Sequence, residues 1–115
     1  MENEKVFAMP FGKVYACLVN KAERKGRTRA EVDEIITWLT GWDGAAVAAA
    51  GDMPYGDFFR NAPAPNPARK AIRGSICGIR VEEIQDPLMQ EIRYLDKLID
   101  ELAKGKTMDK ILRKV

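Results

Sequence analysis

Apolar residues in the last third of the sequence recur at steps of four, three, four and three. This spacing places them on one side of an α-helix, so the segment is predicted to be helical rather than extended. Asp86 and Pro87 supply a start signal and Gly105 a stop signal, which predicts one long helix over residues 86–104. The periodic residues are Leu88, Ile92, Leu95, Ile99 and Leu102.

The apolar face of this helix has two interpretations. It is either a dimerisation seam that would form a homodimer, or the side of a core helix buried within one chain. The seam lasts barely two heptads, whereas a coiled coil is assigned over three or four. Leu98 and Ala103 also widen the face, so we favour the core helix and keep self-association as the alternative. Glu91 lies within this arc, and we expect it to reach solvent or pair with an arginine rather than act as a functional acid.

Two earlier helices carry clear signals at their ends. Residues 10–25 form the first, which Gly26 ends as a left-handed cap. Thr28 and Glu31 then form a capping box, in which the hydroxyl and the carboxylate satisfy each other's backbone amides. An apolar stripe follows at three- and four-residue steps, and Gly41 ends this second helix.

Shorter elements fill the rest of the chain. Residues 1–9 are predicted to be an extended arm. Asp43 is expected to cap a short alanine-rich helix, Pro54 to begin a short aromatic helix, and Thr107 to cap the last one. The prolines of residues 63–67 predict a stiff connection inside one domain that spans the whole chain, since neither half is large enough to bury its own core.

The segment after this connection is ambiguous. Ile72, Ile76 and Ile79 follow at helical spacing, but residues 77, 79 and 81 also alternate as a strand would. Gly74 and Gly78 each weaken a helix by about 1 kcal/mol relative to alanine. We favour a helix and leave the strand open. The predicted fold is therefore all-α, a bundle of five to seven helices, several of them short.

Composition limits the chemistry and the location. The chain of 115 residues has a net charge of +2 and no histidine, so it lacks the commonest general base and metal ligand. Cys17 and Cys77 are isolated among apolar neighbours, and we expect both to be buried, reduced thiols. Residues 1–5 are charged with no apolar stretch behind them, and residues 44–51 are too few to span a bilayer. These observations predict a cytoplasmic protein with no signal peptide and no membrane segment.

A basic surface is the first candidate site. Basic residues cluster before the second helix and again after the proline segment. An anion or a nucleic acid could bind there if the clusters meet in space. No aromatic residues are interleaved for stacking and no known nucleic-acid module is present, so this hypothesis ranks second, behind a protein-interaction module. The candidate residues are Lys21, Arg24, Lys25, Arg27, Arg69, Lys70 and Arg73.

An aromatic pocket is the second candidate, for a small-molecule enzyme or binding protein. Its lining would be Trp38, Trp42, Tyr55 and Phe59. The sequence gives little support to an enzyme, because neighbouring carboxylates point apart on a helix and neither cysteine has a histidine to activate it. We assign no catalytic, cofactor-binding or metal-ligating residue.

Several stretches resemble a known family. They are KAERKGRT at residues 21–28, EVDEII at 31–36 with WLTG at 38–41, CGIRVEEI at 77–84, and DPLMQEIRYLDKLIDELAKGK at 86–106. The chain resembles the bacterial domain-of-unknown-function family 2200 over residues 4–113, and it departs most from the family pattern at residues 44–62. The resemblance implies a bacterial, cytoplasmic protein with a small helical fold and no assigned activity. The leading functional hypothesis is therefore a non-enzymatic protein-interaction module.

Overall fold

The computed structural model describes residues 2–76 and 78–113. This part of the chain forms seven α-helices, two 3₁₀ helices and one two-stranded hairpin. The helices are α1 (Glu2–Ala8), α2 (Phe11–Arg24), α3 (Arg29–Thr40), α4 (Gly44–Ala49), α5 (Tyr55–Arg60), α6 (Pro87–Ala103) and α7 (Met108–Ile111). The 3₁₀ helices are Pro67–Ala71 and Val81–Glu83, and the strands are β1 (Ser75–Ile76) and β2 (Ile79–Arg80). The predicted helical class and number of helices are confirmed.

Helix α6 is the central element, against which α2, α3, α5 and α7 all pack. Ile92, Leu95, Ile99 and Leu102 are at most 2% exposed, and Leu88 is partly buried against the same core. The apolar face of α6 is therefore covered by the chain's own helices. This arrangement is the one that the core-helix interpretation predicts, and the homodimer stays a prediction.

The ends of α2 and α3 follow the local signals. Gly26 has a φ of +79°, and the amide of Arg27 donates to the carbonyl of Ala22 at 2.9 Å, closing the left-handed cap. In the capping box, the Glu31 amide donates to the Thr28 hydroxyl at 3.1 Å, and the Thr28 amide donates to the Glu31 carboxylate at 2.9 Å. Both predictions are confirmed.

The three shorter predicted helices are present, but their first residues and caps agree only in part with the predictions. The Asp43 carboxylate accepts from the amide of Ala46 at 2.8 Å, as expected for the cap of α4. Helix α5 begins at Tyr55, one residue after the predicted Pro54. Thr107 precedes α7, but its side chain makes no capping hydrogen bond.

The proline-rich segment packs over the end of α3. The amide of Ala64 donates to the carbonyl of Thr40 at 3.0 Å, and the amide of Asn66 donates to the carbonyl of Leu39 at 3.1 Å. These are carbonyls that the end of a helix leaves without intrahelical partners. The connection is thus a cap for α3 as well as a spacer.

The helix favoured for this segment is wrong, and the strand alternative for residues 76–81 is right in part: residues 75–76 and 79–80 are short strands, whereas Val81 begins a 3₁₀ helix. The 3₁₀ helix that follows Asn66 ends at Ala71, and β1 and β2 then pair antiparallel. Gly74, directly before β1, and Gly78, in the hairpin turn, have φ of +116° and +79°, which glycine adopts readily. Ile72 is fully buried whereas Ile79 is 49% exposed, so the isoleucines do not share one helical face. Cys77 lies outside the described residues.

The extended arm predicted for residues 1–9 is also wrong, because the segment contains α1. Phe7 packs so closely on α5 that a Cβ on Gly56 would lie 2.9 Å from the Cβ of Phe7. Just beyond α1, the amide of Tyr55 donates to the carbonyl of Met9 at 2.7 Å. Contact with α5 therefore stabilises a helix that is too short to be stable alone.

The helices bear on the predicted absence of a membrane segment. Within residues 2–76 and 78–113, none combines the length and the apolar character needed to span a bilayer.

Candidate functional site

The four aromatic residues predicted to line one pocket lie in different environments in the structure. Tyr55 and Phe59 are 2% and 7% exposed and belong to the core, so a ligand cannot reach them. The Trp42 indole donates to the carbonyl of Phe58 at 2.8 Å and packs against its ring. The predicted pocket is thereby reduced to Trp38, which lies on a different surface.

That surface is an open groove of about 430 Å³ between α3, the start of α4 and the residue that follows α7. We call it the Trp38 groove. One side is the exposed stripe of α3, and the other is formed by a glycine and a leucine. Its lining residues are Ala30, Asp33, Glu34, Thr37, Trp38, Gly44 and Leu112.

The helical period explains why Trp38 lies at this groove. Helix α3 buries Val32, Ile35, Ile36 and Leu39 against the core, and Trp38 lies at the edge of that stripe, partly buried. Gly44, which faces it across the groove, has open space where a Cβ would be. The indole is consequently left uncovered on one side.

The groove has two carboxylates on its α3 side. Asp33 accepts a hydrogen bond from the hydroxyl of Tyr15 at 2.5 Å. Burial is the larger cause and the hydrogen bond to Asp33 the second, and together they raise the pKa of Tyr15 to about 12. The phenol therefore stays a neutral donor. Glu34 is exposed and forms no ion pair with any described residue. The groove therefore combines an aromatic face with negative charge.

The first basic cluster is partly engaged within the fold. Arg27 pairs with Glu31 at 2.7 Å and also donates to the carbonyls of Leu102 and Lys106, at 3.1 and 2.9 Å. Lys21 lies 3.4 Å from an oxygen of Asp100. Arg24 and Lys25 are exposed.

The second basic cluster lies toward the other end of α6. Arg69 forms an ion pair with Glu91 at 2.9 Å, as expected for that acid, while Lys70 and Arg73 are exposed. Arg27 reaches Leu102, which is eleven residues further along α6, about 16 Å at 1.5 Å per residue. The two clusters thus contact separate parts of α6 instead of converging on one anion.

Sequence reasoning missed a buried acid on α6. Glu101 is 5% exposed, and Arg113 donates to its two oxygens at 2.7 and 3.2 Å. Lys97 and Lys106 lie 4.0 and 3.7 Å away. The position of Glu101 next to Leu102 and three residues after Leu98 could have indicated burial. Its contacts are those of a structural ion cluster that holds the end of the chain to α6.

The predicted burial of the cysteines is wrong for Cys17, which is a free and exposed thiol on α2. Apolar neighbours in sequence misled the prediction, because a helix places consecutive residues on different sides. In the described part of the chain, no group of three or more acidic, cysteine or histidine side chains could hold a metal ion.

Comparison with known proteins gives a consistent description. A family model described as "uncharacterized protein conserved in bacteria", domain-of-unknown-function family 2200, matches residues 5–113. A crystal structure of the uncharacterized protein SP1917 is 53% identical in sequence, with a TM-score of 0.91. The similarity covers 96% of this chain and 93% of the other. No curated protein matches the sequence.

Proposed function

The chain belongs to domain-of-unknown-function family 2200, and we propose that it is a non-enzymatic module that binds a partner protein in the Trp38 groove. The observation that carries the proposal is the indole of Trp38, which is only partly buried and lines an open, mostly apolar groove. Tryptophan is among the residues that contribute most to protein–protein binding when a partner covers them.

The shape of the groove favours a protein segment over a small molecule. Small-molecule sites are concave and enclose most of the ligand surface. The Trp38 groove is instead open along one side of α3, where a chain segment can lie across Ala30, Thr37 and Trp38. This geometry suits the docking of a short helix or an extended peptide.

We also propose that the protein acts in the bacterial cytoplasm. An exposed free thiol such as that of Cys17 persists best in a reducing compartment.

Peptide selection tests the proposed function. A phage-displayed library of random peptides is selected on the wild-type protein and counter-selected on Thr37→Arg, which fills the groove from an exposed position. The enriched peptides are synthesised, and their dissociation constants are measured by calorimetry. We expect Trp38→Ala and Thr37→Arg to weaken binding by about 30-fold or more, the effect of losing about 2 kcal/mol at a central contact.

Ile79→Ala is the matched control, because Ile79 is an exposed apolar residue outside the lining of the groove. It should leave the affinity unchanged. Thermal unfolding of each variant separates loss of binding from loss of fold. Failure to enrich any peptide, or equal losses for Trp38→Ala and Ile79→Ala in folded protein, would contradict the proposed function.

A further inference from the structure

We propose that the segment bound in the Trp38 groove is basic, and that a lysine or arginine side chain places its cationic head against the indole of Trp38 and the carboxylates of Asp33 and Glu34. This inference rests on the proposed function and specifies the chemistry of the partner.

The two carboxylates and the indole lie on the same helix, α3, and line the same groove. Glu34 and Trp38 are four residues apart, so their side chains are neighbours on the helix surface. Asp33 lies on the same groove side, and both carboxylates precede the indole by about one turn. Tryptophan is the aromatic side chain that attracts a cation most strongly, and a neighbouring carboxylate adds to that attraction.

Among residues 2–76 and 78–113, the basic side chains nearest the groove are directed elsewhere. Arg29 is directed to the ring of Tyr15, with its guanidinium carbon 6.0 Å from the ring centre. Arg113 follows Leu112 at the other side of the groove, but its guanidinium is held by Glu101. Asp33 is satisfied by a neutral hydroxyl, and Glu34 pairs with no cation among residues 2–76 and 78–113. The negative charge of the groove is therefore left for a partner.

Long basic side chains match the groove along their whole length. Their aliphatic stems pack on apolar surface while the charged heads stay at a polar edge. Ala30 and the uncovered part of the indole provide the apolar surface, and the two carboxylates provide the edge. An acidic segment would instead meet two like charges.

The test uses the peptides enriched on the wild-type protein. We expect them to share a lysine or arginine beside an apolar residue. Replacing that residue by norleucine, which keeps a stem and removes the charge, should weaken binding by at least fivefold. Glu34→Gln should weaken it by a similar factor and reduce the dependence of affinity on salt. Glu23→Gln, the same change at an exposed position of α2 outside the groove lining, should have no effect.

The outcomes separate this inference from the proposed function. Enriched peptides that need Trp38 but carry no basic residue, or that bind Glu34→Gln as tightly as wild type, would overturn the inference and leave the function intact. Peptide binding that does not depend on Trp38, or the absence of enriched peptides, would overturn both. A selection repeated on Glu34→Lys should lose the preference for basic peptides, and retention of that preference also counts against the inference.

Discussion

Replacing Gly41 with alanine should destabilise the protein much more than replacing Gly26 with alanine. The two glycines end α3 and α2 with nearly equal φ of +83° and +79°. Their surroundings differ, because a Cβ on Gly41 would lie 2.7 Å from the Cβ and 2.8 Å from the backbone nitrogen of Ala64. A Cβ on Gly26 would meet nothing within 4 Å.

The expected magnitudes follow from these two environments. Both substitutions force a non-glycine residue into the left-handed region, at about 1 kcal/mol each. Gly41→Ala must also displace the proline-rich segment, and overpacking of this kind costs about 1–3 kcal/mol more. That displacement strains the hydrogen bond from the Ala64 amide to Thr40. We expect a loss in unfolding free energy of about 3 kcal/mol for Gly41→Ala and about 1 kcal/mol for Gly26→Ala.

Urea unfolding followed by far-ultraviolet circular dichroism measures both losses. Adding Ala64→Gly to Gly41→Ala should recover only part of the stability, because the backbone nitrogen and Cα of residue 64 remain within 3.0 Å of the new methyl group. Equal losses for the two single variants would refute the reasoning, since they would show that the segment moves away from α3 at no cost.

Other substitutions test the core, an ion pair and the exposed thiol. Leu95→Ala should lower the unfolding free energy by about 2–5 kcal/mol without changing the oligomeric state in light scattering; a change in that state would show that the α6 face joins two chains. Arg27 and the Thr28 amide hold the pKa of Glu31 down at about 2, so the carboxylate stabilises the fold above its unfolded pKa, and that contribution is lost as the pH falls toward 2. The stability difference between wild type and Glu31→Gln, measured by urea unfolding, should therefore be present at pH 7 and shrink below about pH 4.5; a difference independent of pH would contradict the ion pair. Cys17→Ser should lower by one the number of thiols of the native protein that react fast with a thiol reagent, and a count equal to that of the wild type would contradict the exposure of Cys17.

Helices with signals at both ends could be predicted from the sequence almost to the residue. In α3 the capping box and Gly41 act within one turn of the chain, so their effect does not depend on distant contacts. The same holds for α6, between Asp86 and Gly105. The segment around residues 72–79 lacked such signals, and its isoleucine spacing fits both a helix and a hairpin. Gly74 and Gly78 adopt positive φ in the structure, and the spacing of the apolar residues does not show which φ these glycines take.

The candidate site could be predicted only in part for a related reason. Trp38 and Trp42 lie four residues apart at the end of one helix, and sequence reasoning treated them alike. Trp42 is covered because Phe58 presents both a ring and a backbone carbonyl to it. Trp38 lines the same groove as Gly44, which has no side chain to cover it. The exposure of each indole thus depends on which residues of α4 and α5 lie near it, and the local sequence pattern does not predict these residues.

The central position of α6 agrees with the proposal that a partner binds on α3. The apolar face of α6 is buried by contacts with four other helices, so this face is not exposed to a partner. Helix α3 uses only one stripe for the core, which leaves Glu34, Thr37 and part of Trp38 at the surface. A partner can therefore dock on α3 without opening the core, and binding and folding can be perturbed separately at Thr37 and Leu95.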